Sequence, residues 1–172
     1  MPIIKTKDFQ IRPFKKGDEA SLQKNINNKK IYRYSLTIPY PYTKEHANFW
    51  VKHNLELTKK KSKVEAHFAL DKNKEVIGGL SFQDIKKSKA ELAYWIAEQY
   101  WGTGIMQKAI EAFVTYGFTK LKLQCMYVLI FPDDPYSANT LERAGFKYEK
   151  TLKQNAKKEG KYIDEKMYVK MK

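Results

Sequence analysis

Apolar residues recur along this chain with two different periods, and the switches between them mark out its elements. From residue 9 to 14 (FQIRPF) apolar and polar positions alternate, the period of a half-buried strand, which ends near Pro13. Asp18 stands where a helix cap is expected, with Leu22 and Ile26 facing inward behind it. Residues 28–42 hold no clear period and carry Tyr32, Tyr34, Tyr40 and Tyr42 around Pro39 and Pro41. Thr43 then caps a second helix, with Glu45 in its first turn and Ala47, Trp50, Val51 and Leu55 as its buried stripe. Residues 64–70 and 76–82 read as an antiparallel hairpin across the polar turn 71–74, and the lysine-rich turn 86–89 leads to a further strand at 91–97. A strand at 124–130 and a short helix at 136–144, stopped by Gly145, follow a long central helix. Two last strands, 146–152 and 162–171, close the order β-α-α-β-β-β-α-β-α-β-β, an α/β (α+β) arrangement with no internal repeat or interdomain linker.

The stretch ELAYWIAEQYWGTGIMQKAIEAFVTYGF, residues 91–118, concentrates the candidate chemistry. Its apolar run 92–97 has the length of a strand, and Ile105, Ala109, Ile110, Phe113, Val114 and Gly117 then recur on one helical face. Between them lies a turn with Gln99, Gly102 and Gly104. A strand, a glycine-bearing loop and a helix in that order aim unpaired backbone N–H groups and the positive end of the helix dipole at an anion, most naturally a phosphate. The full G-x-G-x-x-G dinucleotide pattern is absent, because position 107 is Gln, and no G-K-[ST] follows.

Composition narrows the class. Of 172 residues, 42% are hydrophobic and 30% charged, as in a folded globular domain. One domain, 1–172, is expected. No apolar run approaches the roughly 20 residues of a membrane span, and the N-terminal MPIIKTKDFQ lacks a signal-like apolar core. A cytoplasmic protein without membrane contact is the expectation. The lone Cys125, among strand-forming neighbours, reads as a buried small hydrophobe. The net charge of +14 raises the question of nucleic acid, but the lysines are dispersed, clustering at 59–63, 86–89 and 157–161 in expected turns. A solvated basic surface that also steers a polyanionic cofactor is the preferred reading. His46, His53 and His67 lie on separate elements without ligand spacing, so no metal is expected.

Gln99-Tyr-Trp-Gly102-Thr-Gly104 matches Q/R-x-x-G-x-G/A, and so resembles the pyrophosphate-binding motif of the GCN5-related N-acetyltransferases, the GNAT superfamily. The resemblance continues through Ala90-Glu91 and through Asp134-Pro-Tyr-Ser137-Ala-Asn-Thr-Leu-Glu142-Arg-Ala-Gly145-Phe146, which is similar to the family's N-x-x-[AS]-x(4)-E-K-x-G-F segment. Pro39-Tyr-Pro41-Tyr-Thr43 and Gly160-Lys-Tyr-Ile-Asp164 resemble the branch of ribosomal-protein-alanine N-acetyltransferases (RimJ/RimL type). The resemblance implies a mixed, mostly antiparallel central sheet flanked by helices. It also implies acetyl-CoA as co-substrate, no metal, and an amine acceptor: a protein N-terminus, or alternatively a polyamine, aminoglycoside or amino acid. A non-catalytic CoA- or RNA-binding module is the reading from another class. A monomer or a homodimer is expected.

On this resemblance Ile96, Ala97, Gln99, Trp101, Gly102, Thr103, Gly104, Ile105, Asp134 and Ser137 bind the cofactor, with the backbone N–H groups of Ile96 and Ala97 at a splay between strands. Glu91 is the base candidate, against an ordinary strand-end carboxylate. Ser137 is the candidate for protonating the departing thiolate, against a plain capping hydroxyl. Many family members carry a tyrosine four positions on, where this chain has Leu141. Asp134 is expected mainly to hold the start of its helix. Tyr32, Tyr34, Tyr40 and Tyr42 are the expected acceptor wall, against a packing role between helices and sheet. The acceptor sets how strong a base is needed: an α-amine of pKa about 7.8 is roughly a quarter neutral near pH 7.4, but a lysine-like amine of about 10.4 only one part in a thousand.

Overall fold

The computed structural model describes residues 4–60, 62 and 64–172. Lys61 and Lys63 of the 59–63 cluster, and the first three residues of the expected N-terminal segment, lie outside them. Strands β1 (Ile4–Lys5), β2 (Gln10–Pro13), β3 (Ala66–Lys72), β4 (Glu75–Lys86), β5 (Lys89–Ile96), β6 (Cys125–Ile130), β7 (Lys147–Lys158) and β8 (Lys161–Met171) form one sheet in the order β1-β2-β3-β4-β5-β6-β8-β7. Every neighbouring pair is antiparallel except β5 and β6. That single parallel pair is joined by the crossover helix α4 (Ile105–Thr119), since parallel neighbours cannot be linked by a tight turn.

Helices α1 (Glu19–Ile26), α2 (Lys29–Arg33) and α3 (Lys44–Lys60) precede β3, and α5 (Pro135–Arg143) follows β6. The expected elements are present, with three additions: the two-residue β1, α2 inside the aperiodic tyrosine stretch, and a 3-10 turn at Glu98–Tyr100. Five residues give α2 too little length to display a period, and Asn28 starts it by accepting a hydrogen bond from the Lys30 N–H. Strand β7 runs past the expected end at 152 to Lys158 because its partner β8 supplies a ladder for a polar sequence.

The sheet separates two cores. On one face α4 buries Ile105, Ala109, Ile110, Phe113, Val114 and Gly117, the stripe read from the sequence, against β4, β5 and β6. Phe113 stacks on Phe82 at 4.1 Å. A Cβ on Gly117 would stand 2.3 Å from the Met126 side chain and 2.9 Å from Phe82, so only glycine lets this turn of α4 lie flush on the sheet. Cys125 is buried as expected. On the other face α1 and α3 close over Ala69, Val76 and Trp95 with Leu22, Ile26, Ala47 and Val51.

Asp18 occupies the cap position of α1 but makes no capping bond with its side chain. Arg12 takes that carboxylate instead, through two 2.8 Å hydrogen bonds, and gives its Nε–H to Asp71 at 2.8 Å. All three side chains are nearly inaccessible. Burial alone would weaken the guanidinium charge; the two carboxylates reverse that and hold its pKa above the ordinary value. Replacing Arg12 by Met strands two buried carboxylates and is expected to remove about 3–5 kcal/mol of stability in urea unfolding; a loss below about 1 kcal/mol would contradict this account.

Candidate active site

Strands β5 and β6 pair only at Lys89–Cys125, Ala90–Met126 and Glu91–Tyr127. Beyond Glu91, β5 stays on β4 up to Ile96 while β6 bonds β8 up to Ile130, so the two neighbours diverge. A cleft of about 860 Å³ opens in the gap. Its polar groups follow from strand alternation. The Ala97 N–H donates to the Ile77 carbonyl at 2.8 Å, in a ladder of constant register. The N–H groups of Ile96 and Tyr94 therefore point the opposite way, into the gap that β6 has left. The Ile96 N–H is thus directed into the splay, whereas the Ala97 N–H is spent on β4.

At one end of the cleft stands the turn into α4. Trp101, Gly102, Thr103 and Gly104 line it, followed by Met106 and Gln107 of the first helical turn. Gly104, the residue before the helix, is in the left-handed region at φ +77°, and Gly102 is at +73°. A Cβ on either would meet no protein atom within 4 Å, so these glycines keep space open toward the cleft. No acidic residue occupies the first turn of α4, which leaves its N–H groups and dipole to an anion. The side chains of two residues of the expected backbone-amide cradle do not line the cleft. Gln99 is turned away to α1, donating from Nε2 to Asn25 Oδ1 at 3.1 Å. The Ile105 side chain is buried in the core under α4.

The α5 side of the cleft carries Asp134 and Ser137. Asp134 Oδ1 accepts the Ser137 N–H at 3.0 Å, which is the helix-holding role expected of it. Leu141 is fully buried in the core, so no side chain from that position reaches the cleft. Tyr94 fills the gap from β5: its ring packs against the α4 core, and its hydroxyl is buried with no hydrogen-bond partner among the described residues. The Ser137 side chain lies near that hydroxyl without a well-aligned bond, and burial pushes the phenol well above its usual range. Sequence reading passed over Tyr94 because within an apolar strand run a tyrosine signals packing.

Glu91 lies on the opposite face of the sheet from Tyr94, by alternation along β5, and also lines the cleft. Burial raises its pKa above the ordinary carboxylate value, helped by the negative charges of Glu165 and Asp84. Glu165 of β8 is itself buried at 4% exposure, lines the same cleft, and accepts a 2.6 Å hydrogen bond from Asn155. Nothing in the charged run IDEK distinguishes it in sequence; its place on β8, paired with Leu152 of β7, brings it into the cleft with Glu91.

Of the four tyrosines expected to wall the acceptor side, only Tyr34 lines the cleft. Tyr42 is a core residue, 5% exposed, and burial pushes its phenol up to about 12. Tyr32 and Tyr40 pack against each other, tilted by 38° with ring centroids 6.0 Å apart, outside the lining. Lys158 Nζ sits 4.0 Å above the Tyr32 ring and donates to the Tyr32 carbonyl at 2.7 Å, while the Tyr32 hydroxyl bonds Glu159. The tyrosine segment is thereby tied to the β7–β8 hairpin. Arg33 reaches Asp133 at 2.9 Å, and the Tyr34 hydroxyl donates to the Asp133 carbonyl at 3.1 Å, fastening the same segment to the β6–α5 connection. The residues it presents to the cleft are Lys30, Ile31 and Tyr34 through Ile38.

Residues 8–147 match the acetyltransferase (GNAT) domain family. A spermidine N(1)-acetyltransferase of Vibrio cholerae is 27% identical over 162 residues, 92% of this chain and 91% of that protein. A ribosomal-protein-serine acetyltransferase of Escherichia coli is 30% identical over 106 residues, 60% of this chain and 59% of that protein. Among solved structures, the ribosomal L7/L12 alpha-N-protein acetyltransferase RimL in complex with coenzyme A superposes with a TM-score of 0.87 at 24% identity, over 99% of this chain and 98% of that one.

Proposed function

The chain belongs to the acetyltransferase (GNAT) family and is an N-acetyltransferase, and from that premise we propose that it transfers the acetyl group of acetyl-CoA to the N-terminal α-amine of a protein. Acetyl-CoA supplies an acyl group already activated as a thioester. The first turn of α4, with Gly102 and Gly104 before it, receives the pyrophosphate on backbone N–H groups. The gap between β5 and β6 takes the pantetheine arm, with the Ile96 N–H directed at the thioester carbonyl oxygen. Glu91 accepts a proton from the ammonium form of the acceptor, whose nitrogen then attacks the acyl carbon. The carbon–sulfur bond breaks, and the second proton that the nitrogen loses in becoming an amide passes through the Ser137 hydroxyl, backed by Tyr94, to the departing sulfur, so that Ser137 ends as it began.

The observation that carries this reading is the half-buried Glu91 at the point where the strands part, with its pKa raised by burial. A carboxylate shifted upward is closer in basicity to an α-amine of about 7.8 than to a lysine-like amine of about 10.4, so less driving force is lost in the proton transfer. The resemblance to the ribosomal-protein-serine enzyme agrees with it. A second reading, a polyamine acceptor, has its own support: Glu165 faces Glu91, and two carboxylates in one pocket favour a ligand with more than one positive charge.

Release of the coenzyme A thiol decides between them. Peptides beginning with Ala, Ser or Met are expected to turn over, with spermidine slower in kcat/KM by about tenfold or more, the advantage that a matched proton transfer confers. Faster turnover of spermidine would replace the first reading by the second. No turnover on either class, with saturable acetyl-CoA binding intact, would remove both acceptors.

A further inference from the structure

Histidine spacing in the sequence gives no reason to expect a metal, but the fold brings two of the three histidines beside a carboxylate. His53 projects from α3 one turn after Trp50, over the start of β3. His67 lies on the face of β3 turned toward that helix, and Glu65 precedes the strand by one residue, two positions from His67 and so on the same side. His67 Nε2 is 3.1 Å from one Glu65 oxygen, His53 Nε2 is 4.0 Å from the other, and the three ligand atoms lie within 4.8 Å of one another. Trp50 packs edge-on against His67 at 4.9 Å and beside His53 at 6.0 Å, while Phe49 stacks on the outer face of the His53 ring at 6.0 Å.

We propose that His53, Glu65 and His67 form a binding site for a divalent transition metal ion of the zinc type. Two imidazoles and one carboxylate suit a borderline ion such as Zn²⁺, and the hard cations Mg²⁺ and Ca²⁺ prefer oxygen ligands alone. A tetrahedral ion with bonds of about 2.0–2.1 Å sets its ligand atoms about 3.3 Å apart. The 3.1 Å pair already meets that spacing; the 4.0 Å contact of His53 is to the other Glu65 oxygen, so the half-exposed His53 and Glu65 side chains turn to bring the three ligand atoms, now within 4.8 Å of one another, around one ion. His67 is nearly inaccessible and its ring is held in place by the edge-on Trp50. The half-exposed His53 and Glu65 provide an entry path and leave a fourth position to water. Bound there, the ion clips the end of α3 to the start of β3 and closes the connection between them.

The test is calorimetric titration of the metal-free protein with Zn²⁺ and, separately, Mg²⁺ near pH 7.4, together with Co²⁺ absorption spectroscopy. One Zn²⁺ per chain is expected, no Mg²⁺ heat, and a four-coordinate Co²⁺ spectrum. His53→Gln and Glu65→Gln each remove a half-exposed ligand and are expected to weaken Zn²⁺ at least tenfold, the loss that even a partner one shell further out produces. His46→Gln, on the same helix but outside the cluster, should bind as the parent does. Melting temperatures in chelator show that the variants fold. Absence of saturable Zn²⁺ binding by the parent protein would overturn the proposal, as would binding unchanged in both ligand variants.

Discussion

Gly104→Asp is expected to abolish measurable coenzyme A binding while leaving the unliganded protein almost as stable as before. Two effects on the apo state oppose each other. A non-glycine residue at φ +77° costs about 1–2 kcal/mol, while a carboxylate at the start of α4 interacts favourably with its dipole by about 0.3–1 kcal/mol. No steric clash adds to the cost, because a Cβ at this position meets no protein atom. The melting temperature should therefore fall by no more than about 5 °C. With ligand the balance is one-sided. The new side chain enters the space proposed for the pyrophosphate, and like charges about 4 Å apart near a protein surface repel by about 4 kcal/mol. Affinity for coenzyme A should fall at least about a hundredfold, equivalent to about 2.8 kcal/mol. Calorimetry with a parallel thermal melt reads both quantities, and unchanged affinity in a folded variant would move the phosphate site away from the start of α4.

Glu91→Gln is expected to lower kcat/KM by roughly a hundred- to ten-thousandfold, the range for losing a positioned base, and at the same time to stabilise the protein at neutral pH. The sign of the second effect follows from linkage. Burial, then Glu165 and Asp84, raise the folded-state pKa of Glu91 above its unfolded value. Between those two values the folded state binds more protons than the unfolded one, so stability falls as pH rises through that window. Above it the full penalty of a buried carboxylate is present, and the neutral amide removes that penalty. In the parent enzyme the acidic limb of kcat/KM should accordingly lie above the ordinary carboxylate range and disappear in the variant. A pH–rate profile and urea unfolding at two pH values measure both. Loss of activity together with loss of stability would reduce Glu91 to a structural residue, and an unchanged rate would exclude it as the base.

The sequence by itself determined most of the elements and one half of the site. Periodicity was enough for the stripe of α4, because one apolar face of a helix must meet the sheet whatever the surrounding topology. The glycine turn was legible for a similar reason: the left-handed backbone at Gly102 and Gly104, and the space it preserves, are local requirements that leave a local mark. The three-residue extent of β5–β6 pairing was not legible, since a splay is decided by which neighbour wins each backbone group. The register decided that the Ile96 N–H points into the gap while the Ala97 N–H goes to β4. Strand pairing equally brought Glu165, from a strand some seventy residues later, into the same cleft as Glu91. Tyrosine is amphipathic, and its sequence position does not tell which end will be satisfied: Tyr42 went to the core, Tyr34 to the cleft, and Tyr94, unremarked in an apolar run, carries a buried hydroxyl without a partner among the described residues, near Ser137. Local pattern encodes what a segment needs from its immediate surroundings; which distant side chains supply it is set only when the sheet closes its register and the helices choose their faces.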